Sequence, residues 1–311
     1  MAMASRMLKI LRASALMALA GLAVAEEPLP DVVVQSSASP AASLTPPQLA
    51  AIAEIEKSLV PIQGECFDMG KTSRRVIQHV DTLKMRKKEE PRGRVCVKDF
   101  LIAATEATQS QWSALMSGNP SYFRRCGATC PVESVSWDDV QVFLRALNAA
   151  SGGRYRLPTE AEWEFAARGR RSTDFSNGEC ISSVEANFDG RFDLIECDPR
   201  APEDPSRTRG KPLPVASFAP NRYGLHDVHG NVAEWTQDCW NMSVKEGIPG
   251  NDAVTSGDCS LRGLRGGGWS NPQLAVRSAA RSQAAAAARL PSVGFRLVRD
   301  ISRDGGAAAR Q

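Results

Sequence analysis

The cysteine set limits what this chain can fold into more than any other feature. All eight cysteines, Cys66, Cys96, Cys126, Cys130, Cys180, Cys197, Cys239 and Cys259, follow a segment that reads as a secretory signal. Arg6, Lys9 and Arg12 form its positive region, Ala13 to Val24 its apolar stretch, and Ala23-Val24-Ala25 its small-residue end. That stretch is too short to cross a hydrocarbon core of ~30 Å as a helix. Cleavage before Glu26 is therefore expected, with a soluble periplasmic or secreted product and no membrane span. No cysteine stands at the new N-terminus to take a lipid. An even cysteine count in an exported chain reads as a disulfide framework. Sequential pairing, 66–96, 126–130, 180–197 and 239–259, is the simplest of many arrangements. Cys126 and Cys130 also have the close spacing of a metal or redox pair, but no second close pair or nearby histidine completes a zinc site.

The chain divides into a signal (1–25), a flexible tether with a short helix (26–58), one irregular α+β domain (59–301) and a disordered tail (302–311). Leu49, Ile52, Ile55 and Leu59 give the short helix its spacing. Strands are expected around Val60–Met69 and Val95–Ile102, stapled through Cys66 and Cys96. A helix is expected over Thr108–Met116. Ser136 with Asp139 caps another, whose stripe is Val140, Phe143, Leu144 and Leu147. Thr159 with Glu162 caps a third, which Gly169 ends. Glu160, Glu162 and Glu164 crowd its first turns and read as dipole partners and surface charge rather than catalytic acids. Residues 170–222 show little periodicity, a long irregular stretch that a bridge or bound ion would have to support. Leu261–Trp269 and Gly294–Arg299 read as closing strands. A formal charge of +3 gives no concentrated basic face, so nucleic acid is not an expected partner.

Residues 224–235 form a glycine-punctuated loop in which Asp227 and Glu234 bring carboxylates close to free carbonyls. Such backbone suits a hard cation such as calcium. His226 and His229, spaced i, i+3, are the candidates for a transition metal. His79 is the only other histidine.

Six strings then line up in one order. They are Cys66-Phe67-Asp68-Met69-Gly70, Pro131-Val132-Glu133-Ser134-Val135-Ser136-Trp137 and Tyr155-Arg156-Leu157-Pro158-Thr159-Glu160-Ala161-Glu162-Trp163-Glu164. They continue with Gly230-Asn231-Val232-Ala233-Glu234-Trp235, Arg265-Gly266-Gly267-Gly268-Trp269 and Gly294-Phe295-Arg296. Together they resemble the formylglycine-generating enzyme (sulfatase-modifying factor) family over about residues 58–300. The resemblance implies an irregular α+β fold related to C-type lectins, poor in regular secondary structure and stapled by disulfides. It also implies structural calcium. One site would use the Asp227 and Glu234 side chains with the Gly230 and Val232 carbonyls. The other would begin at Asn187 and Phe188, with Asp204 as a candidate downstream acid.

Sulfatase-activating members bind copper(I) through two cysteines just after the Gly-Gly-Ser-aromatic string, and thiolates suit that soft ion. Here Asn271 takes the first position, Gln273 or Leu274 lies near the second, and Gly268 replaces the serine. No cysteine follows Cys259. No copper is expected, and formylglycine formation by the family's route is not expected either. The signal and the missing pair most resemble exported bacterial members of the family, one of which serves pyoverdine siderophore maturation. The first functional reading is thus a non-copper binding or maturation factor acting on an exported peptide, protein or siderophore precursor. Its groove would lie beside Trp269, Ser270, Asn271, Arg277 and Arg281, unless both arginines pair with buried acids. A metal-dependent oxidoreductase using His226 and His229, in the manner of nonheme iron, is the alternative. A structural or adhesive lectin-like module is the third reading.

Overall fold

Among the described residues, four α-helices each begin at a hydroxyl side chain. The computed structural model describes residues 43–70, 93–191, 207–241 and 252–301. From Leu44 onward they belong to one unit. Helix α1 (Pro46–Ser58) has Thr45 as N-cap with Gln48 closing the capping box. Its Ile52 and Ile55 are buried in the largest core cluster, whereas Leu49 is exposed and Leu59 already belongs to the next strand. The helix is thus built into the domain rather than leading into it. Helices α2 (Gln109–Leu115), α3 (Trp137–Ser151) and α4 (Glu160–Arg168) start at Thr108, Ser136 and Thr159, each with a complete capping box. Gly152 and Gly169 close α3 and α4 in the left-handed conformation. The expected stripe of α3 is buried, and Trp112 stacks on Phe143 at 5.2 Å, with Phe295 edge-on to both.

Among the described residues, ten short strands form two four-stranded sheets and one ribbon. The ribbon pairs β2 (Cys66–Asp68) with β3 (Arg94–Cys96), placing Cys66 directly opposite Cys96. The first sheet has β4 (Phe100–Ala103) between β1 (Leu59–Ile62) and β10 (Val298–Arg299), with β5 (Tyr155–Arg156) beyond β10. Each of the two early strands expected from sequence therefore breaks into two. Gly64 marks the break, because a Cβ there would sit 2.2 Å from the Val97 carbonyl oxygen. The second sheet runs β8 (Ser282–Ala285), β7 (Asp258–Arg265), β6 (Ala233–Trp240) and β9 (Val293–Gly294), with β9 parallel to β6. The expected closing strand Gly294–Arg299 is really two strands in different sheets. Phe295, Arg296 and Leu297 cross between them, and this crossing delivers Arg296 to the centre of the molecule.

Disulfides join Cys66 to Cys96, Cys126 to Cys130 and Cys239 to Cys259, as sequential pairing gives. The Cys126–Cys130 pair is a staple, not a metal site. Cys180 is disulfide-bonded. Cys197 and Asp204 lie outside the described residues, as do His79, the signal and the tail. The described parts of 170–222 carry no helix or strand. A separate apolar cluster of Phe175, Ile181, Ala186, Phe188, Leu274 and Val276 holds them in place.

Glu160, Glu162 and Glu164 are not surface charge. All three are buried. Glu160 pairs with Arg281, Glu162 with Arg156, and Glu164 with both Arg168 and Arg265. The helix lies between the sheets with every face covered, so the charge pattern of its first turns misleads.

Candidate functional site

The loop from Asp227 to Glu234 turns sharply enough to need left-handed backbone at three positions, Asp227 (φ 59°), Gly230 (φ 126°) and Asn231 (φ 63°). At Gly230 a Cβ would lie 2.3 Å from the Asn187 carbonyl oxygen, so only glycine admits this approach. Asn231 is the hub. Its backbone N–H donates to the Asn187 carbonyl, and its Nδ2 donates to Glu106 Oε2 at 2.7 Å. Its Oδ1 accepts from Asn187 Nδ2 and from the Leu213 N–H, while its carbonyl accepts the Trp269 N–H. Four distant segments thus meet on one side chain and its peptide. A cavity of about 470 Å³ opens alongside, lined in part by Asn187, Asp227, His229 and Gly230.

Three carboxylates surround this loop. Glu234 lies on β6 with no exposed surface, held by Arg296 through two 2.7 Å bonds and by Trp163 Nε1. Asp227 Oδ2 accepts the Ala216 N–H. Glu106, buried just after β4, accepts the Val232 N–H through Oε1. Burial, then the charges of Asp227 and Glu234, hold the Glu106 carboxyl well above its ordinary range. Burial likewise raises Asp227. Among the described residues, Arg296 is the one guanidinium bonded within this group, so two negative charges are left unbalanced when all three acids ionise. Asn187 adds a second sign of an unmet need: its Oδ1 is buried without a hydrogen-bond partner. Buried oxygens in excess of donors fit an oxygen-seeking divalent ion. Among the described residues, no three His, Cys, Asp or Glu side chains converge as a metal cluster. An ion here would therefore need carbonyl and amide oxygens in its shell.

The two histidines do not form a transition-metal pair. His229 is buried, and its Nε2 accepts the Ser176 N–H at 2.9 Å. That bond fixes the proton on Nδ1, which donates to the Val276 carbonyl at 2.8 Å. Both ring nitrogens are consumed. His226 Nδ1 lies 2.8 Å from the Phe218 carbonyl. Burial depresses the His229 pKa from 6.5 to about 4. A depressed base stabilises the fold above its unfolded pKa and loses that contribution as pH falls through the folded one. About 3 kcal/mol of stability is thus expected to disappear between pH 6.5 and 4. Urea melts of wild type and His229→Gln across that window check this, since the variant should lack the corresponding slope.

The expected groove divides into surface and interior. Trp269 is half-buried, edge-on to Phe123 at 5.5 Å, and Ser270 is exposed. Asn271 closes a turn: its Oδ1 accepts the Gly268 N–H and its own N–H donates to the Gly268 carbonyl. Arg277 and Arg281 are buried. Arg277 Nε donates to the Leu274 carbonyl, and Arg281 holds Glu160 while its guanidinium covers the Trp240 ring.

Residues 49–301 match the sulfatase-modifying factor enzyme 1-like domain, FGE-sulfatase. The chain belongs to this family. Among similar proteins is the chaperone protein LppX of Paenibacillus barcinonensis, 28% identical over 222 residues, covering 56% of this chain and 71% of that protein. The formylglycine-generating enzyme of Streptomyces coelicolor is 32% identical over 184 residues, covering 58% of this chain but only 55% of the enzyme. The solved structure of PvdO from Pseudomonas aeruginosa superposes with a TM-score of 0.64 at 26% identity, covering 78% of this chain and 94% of PvdO. Within this FGE-sulfatase domain, the irregular α+β architecture follows the family. No described helix is long and apolar enough to cross a membrane.

Two site residues escaped the sequence reading. Glu106 is a lone acid among Ala104, Thr105 and Ala107, two residues before the N-cap Thr108, and isolation among small residues was its only signal. Arg296 stood in a recognised string, but nothing in its neighbours assigned it to Glu234.

Proposed function

We propose that this chain is an exported FGE-sulfatase protein that binds an exported peptide, protein or siderophore precursor, or helps it mature, without copper. The observation that carries this reading is Asn271. Where the resemblance puts the family's first copper cysteine stands an amide that ties itself twice to Gly268, and residues 260–311 hold no cysteine. A side chain engaged in closing its own turn offers no soft ligand. The likeness to PvdO over nearly its whole length and to a protein named as a chaperone supports maturation over turnover. Incubation with copper(I), oxygen and a peptide bearing a sulfatase-type cysteine motif is expected to yield no aldehyde by mass spectrometry. Aldehyde formation at an enzymatic rate would overturn the reading.

Calcium is the resident ion in this proposal. Asp227 and Glu234 would contribute side chains, Gly230 and Val232 carbonyls, and Asn187 with Phe188 the neighbouring site. The excess of buried carboxylate and the partnerless Asn187 Oδ1 support it. Bound calcium would offset the charge that otherwise raises Glu106. A raised carboxyl penalises the fold as pH climbs from its unfolded pKa, about 4.3, through the folded one. Calcium-dependent stabilisation is therefore expected to be larger at pH 7.5 than at pH 5. Melting temperatures with calcium and with chelator at both pH values check this. No calcium-dependent difference at pH 7.5 in wild type, or one left undiminished in Asp227→Ala plus Glu234→Ala, would remove calcium at this loop from the proposal.

A further inference from the structure

We propose that the concavity around Tyr122 is a docking surface for an acidic segment of an exported polypeptide, one that also carries an aromatic or apolar side chain. The inference rests on the peptide-binding reading above and names the class of peptide and the surface that takes it. Tyr122 is 74% exposed, an unusual position for a large aromatic ring. Its ring meets Phe123 edge-on at 4.9 Å, and Phe123 meets Trp269 edge-on at 5.5 Å. This aromatic row extends at most roughly 10 Å, the reach of about three residues of extended chain at ~3.3 Å each. A small anion would leave most of it uncovered.

The exposed charges that line the concavity have one sign. The concavity, about 700 Å³, is lined by Arg124, Arg125 and Lys211 and by no carboxylate. All three cations are exposed, and among the described residues none forms an ion pair. Guanidinium groups pair with carboxylates through two parallel bonds, so an acidic chain laid along the rings would satisfy them. Tyrosine and arginine are also the residues enriched at protein interfaces.

The surface is rigid before anything binds. The Cys126–Cys130 disulfide closes one side. Buried Glu133 accepts the Phe123 N–H at 2.8 Å and the Ser134 hydroxyl. Arg124 Nε donates to the Ser121 carbonyl, and Asn119 Oδ1 accepts the Ser121 N–H. A preformed surface loses little conformational entropy on binding.

Fluorescence anisotropy on the full mature chain tests this with three labelled nonapeptides, each with a central phenylalanine. One is flanked by Asp and Glu, one by Asn and Gln, one by Lys. The acidic peptide is expected to bind at least about tenfold more tightly than the neutral one, with affinity falling as salt rises. Tyr122→Ala, and Arg124→Glu with Arg125→Glu, should each weaken it about tenfold without moving the melting temperature, because these side chains are exposed. Peptide binding that is indifferent to charge and to these variants would overturn the surface and leave the peptide-binding reading standing. No binding of any peptide would overturn both. Co-sedimentation with phosphatidylglycerol vesicles that is lost in the same variants, with no peptide bound, would overturn the inference in favour of a membrane.

Discussion

Arg296→Leu is expected to destabilise the domain by about 3–5 kcal/mol, the usual result of stripping the partner from a buried charge. The side chain is fully enclosed between the two sheets. It bonds both oxygens of Glu234, the carbonyls of Ala103 and Ala104, and that of His226. Its loss leaves Glu106, Asp227 and Glu234 without a fixed cation and frees three backbone acceptors. The loss should be greatest in chelator at neutral pH, where the acids are driven to ionise, and smaller in calcium. Adding Glu234→Gln to Arg296→Leu should recover part of the stability, since neighbours in one network are not additive. Urea denaturation of the two single variants and the double variant, each with calcium and with chelator, measures all of this. Equal losses in both conditions would mean that Arg296 and the ion do not share the same charges.

Glu164→Leu carries the second large effect, again about 3–5 kcal/mol. Glu164 accepts the Gly70 N–H at 2.8 Å as well as Arg168 and Arg265, and it has no exposed surface. Its carboxyl, raised by burial but lowered more by Arg168 and Arg265, ends below the ordinary range. A depressed acid stabilises the fold above its unfolded pKa and loses that contribution as pH falls through the folded one. The cost of Glu164→Leu should therefore shrink in acid. A surface acid in the first turns of a helix would cost less than about 0.5 kcal/mol on removal. Thermal melts of Glu164→Leu at neutral pH separate the two cases directly.

That contrast shows where reading the sequence stops. Caps and stripes are local, so Thr108, Ser136 and Thr159 announced three helices, and Gly152 and Gly169 ended two of them. Three bridges among the described residues also join cysteines adjacent in order, because the segments they staple are near neighbours in the chain. Strand β6 was hidden. It is buried along nearly its whole length, although Glu234, Thr236 and Asp238 alternate as the solvent face of a half-buried strand would. Each of those polar groups is satisfied by a residue far away in sequence, such as Arg296 for Glu234. The same holds for Arg277 and Arg281, which are buried, Arg281 against Glu160 from more than a hundred residues away. Charge burial here is long-range, and nothing in a local window reports it. The loop at 227–234 was legible through its glycine and its acids, but Glu106 enters from more than a hundred residues away.

The central claim is a calcium-bearing FGE-sulfatase protein that works without a redox metal. Elemental analysis of the mature oxidised protein, purified from a periplasm and never exposed to affinity metal, tests it most directly. Calcium near stoichiometric, with neither copper nor iron, is the predicted result. Stoichiometric copper or iron that disappears in a His226→Ala, His229→Ala variant would contradict it.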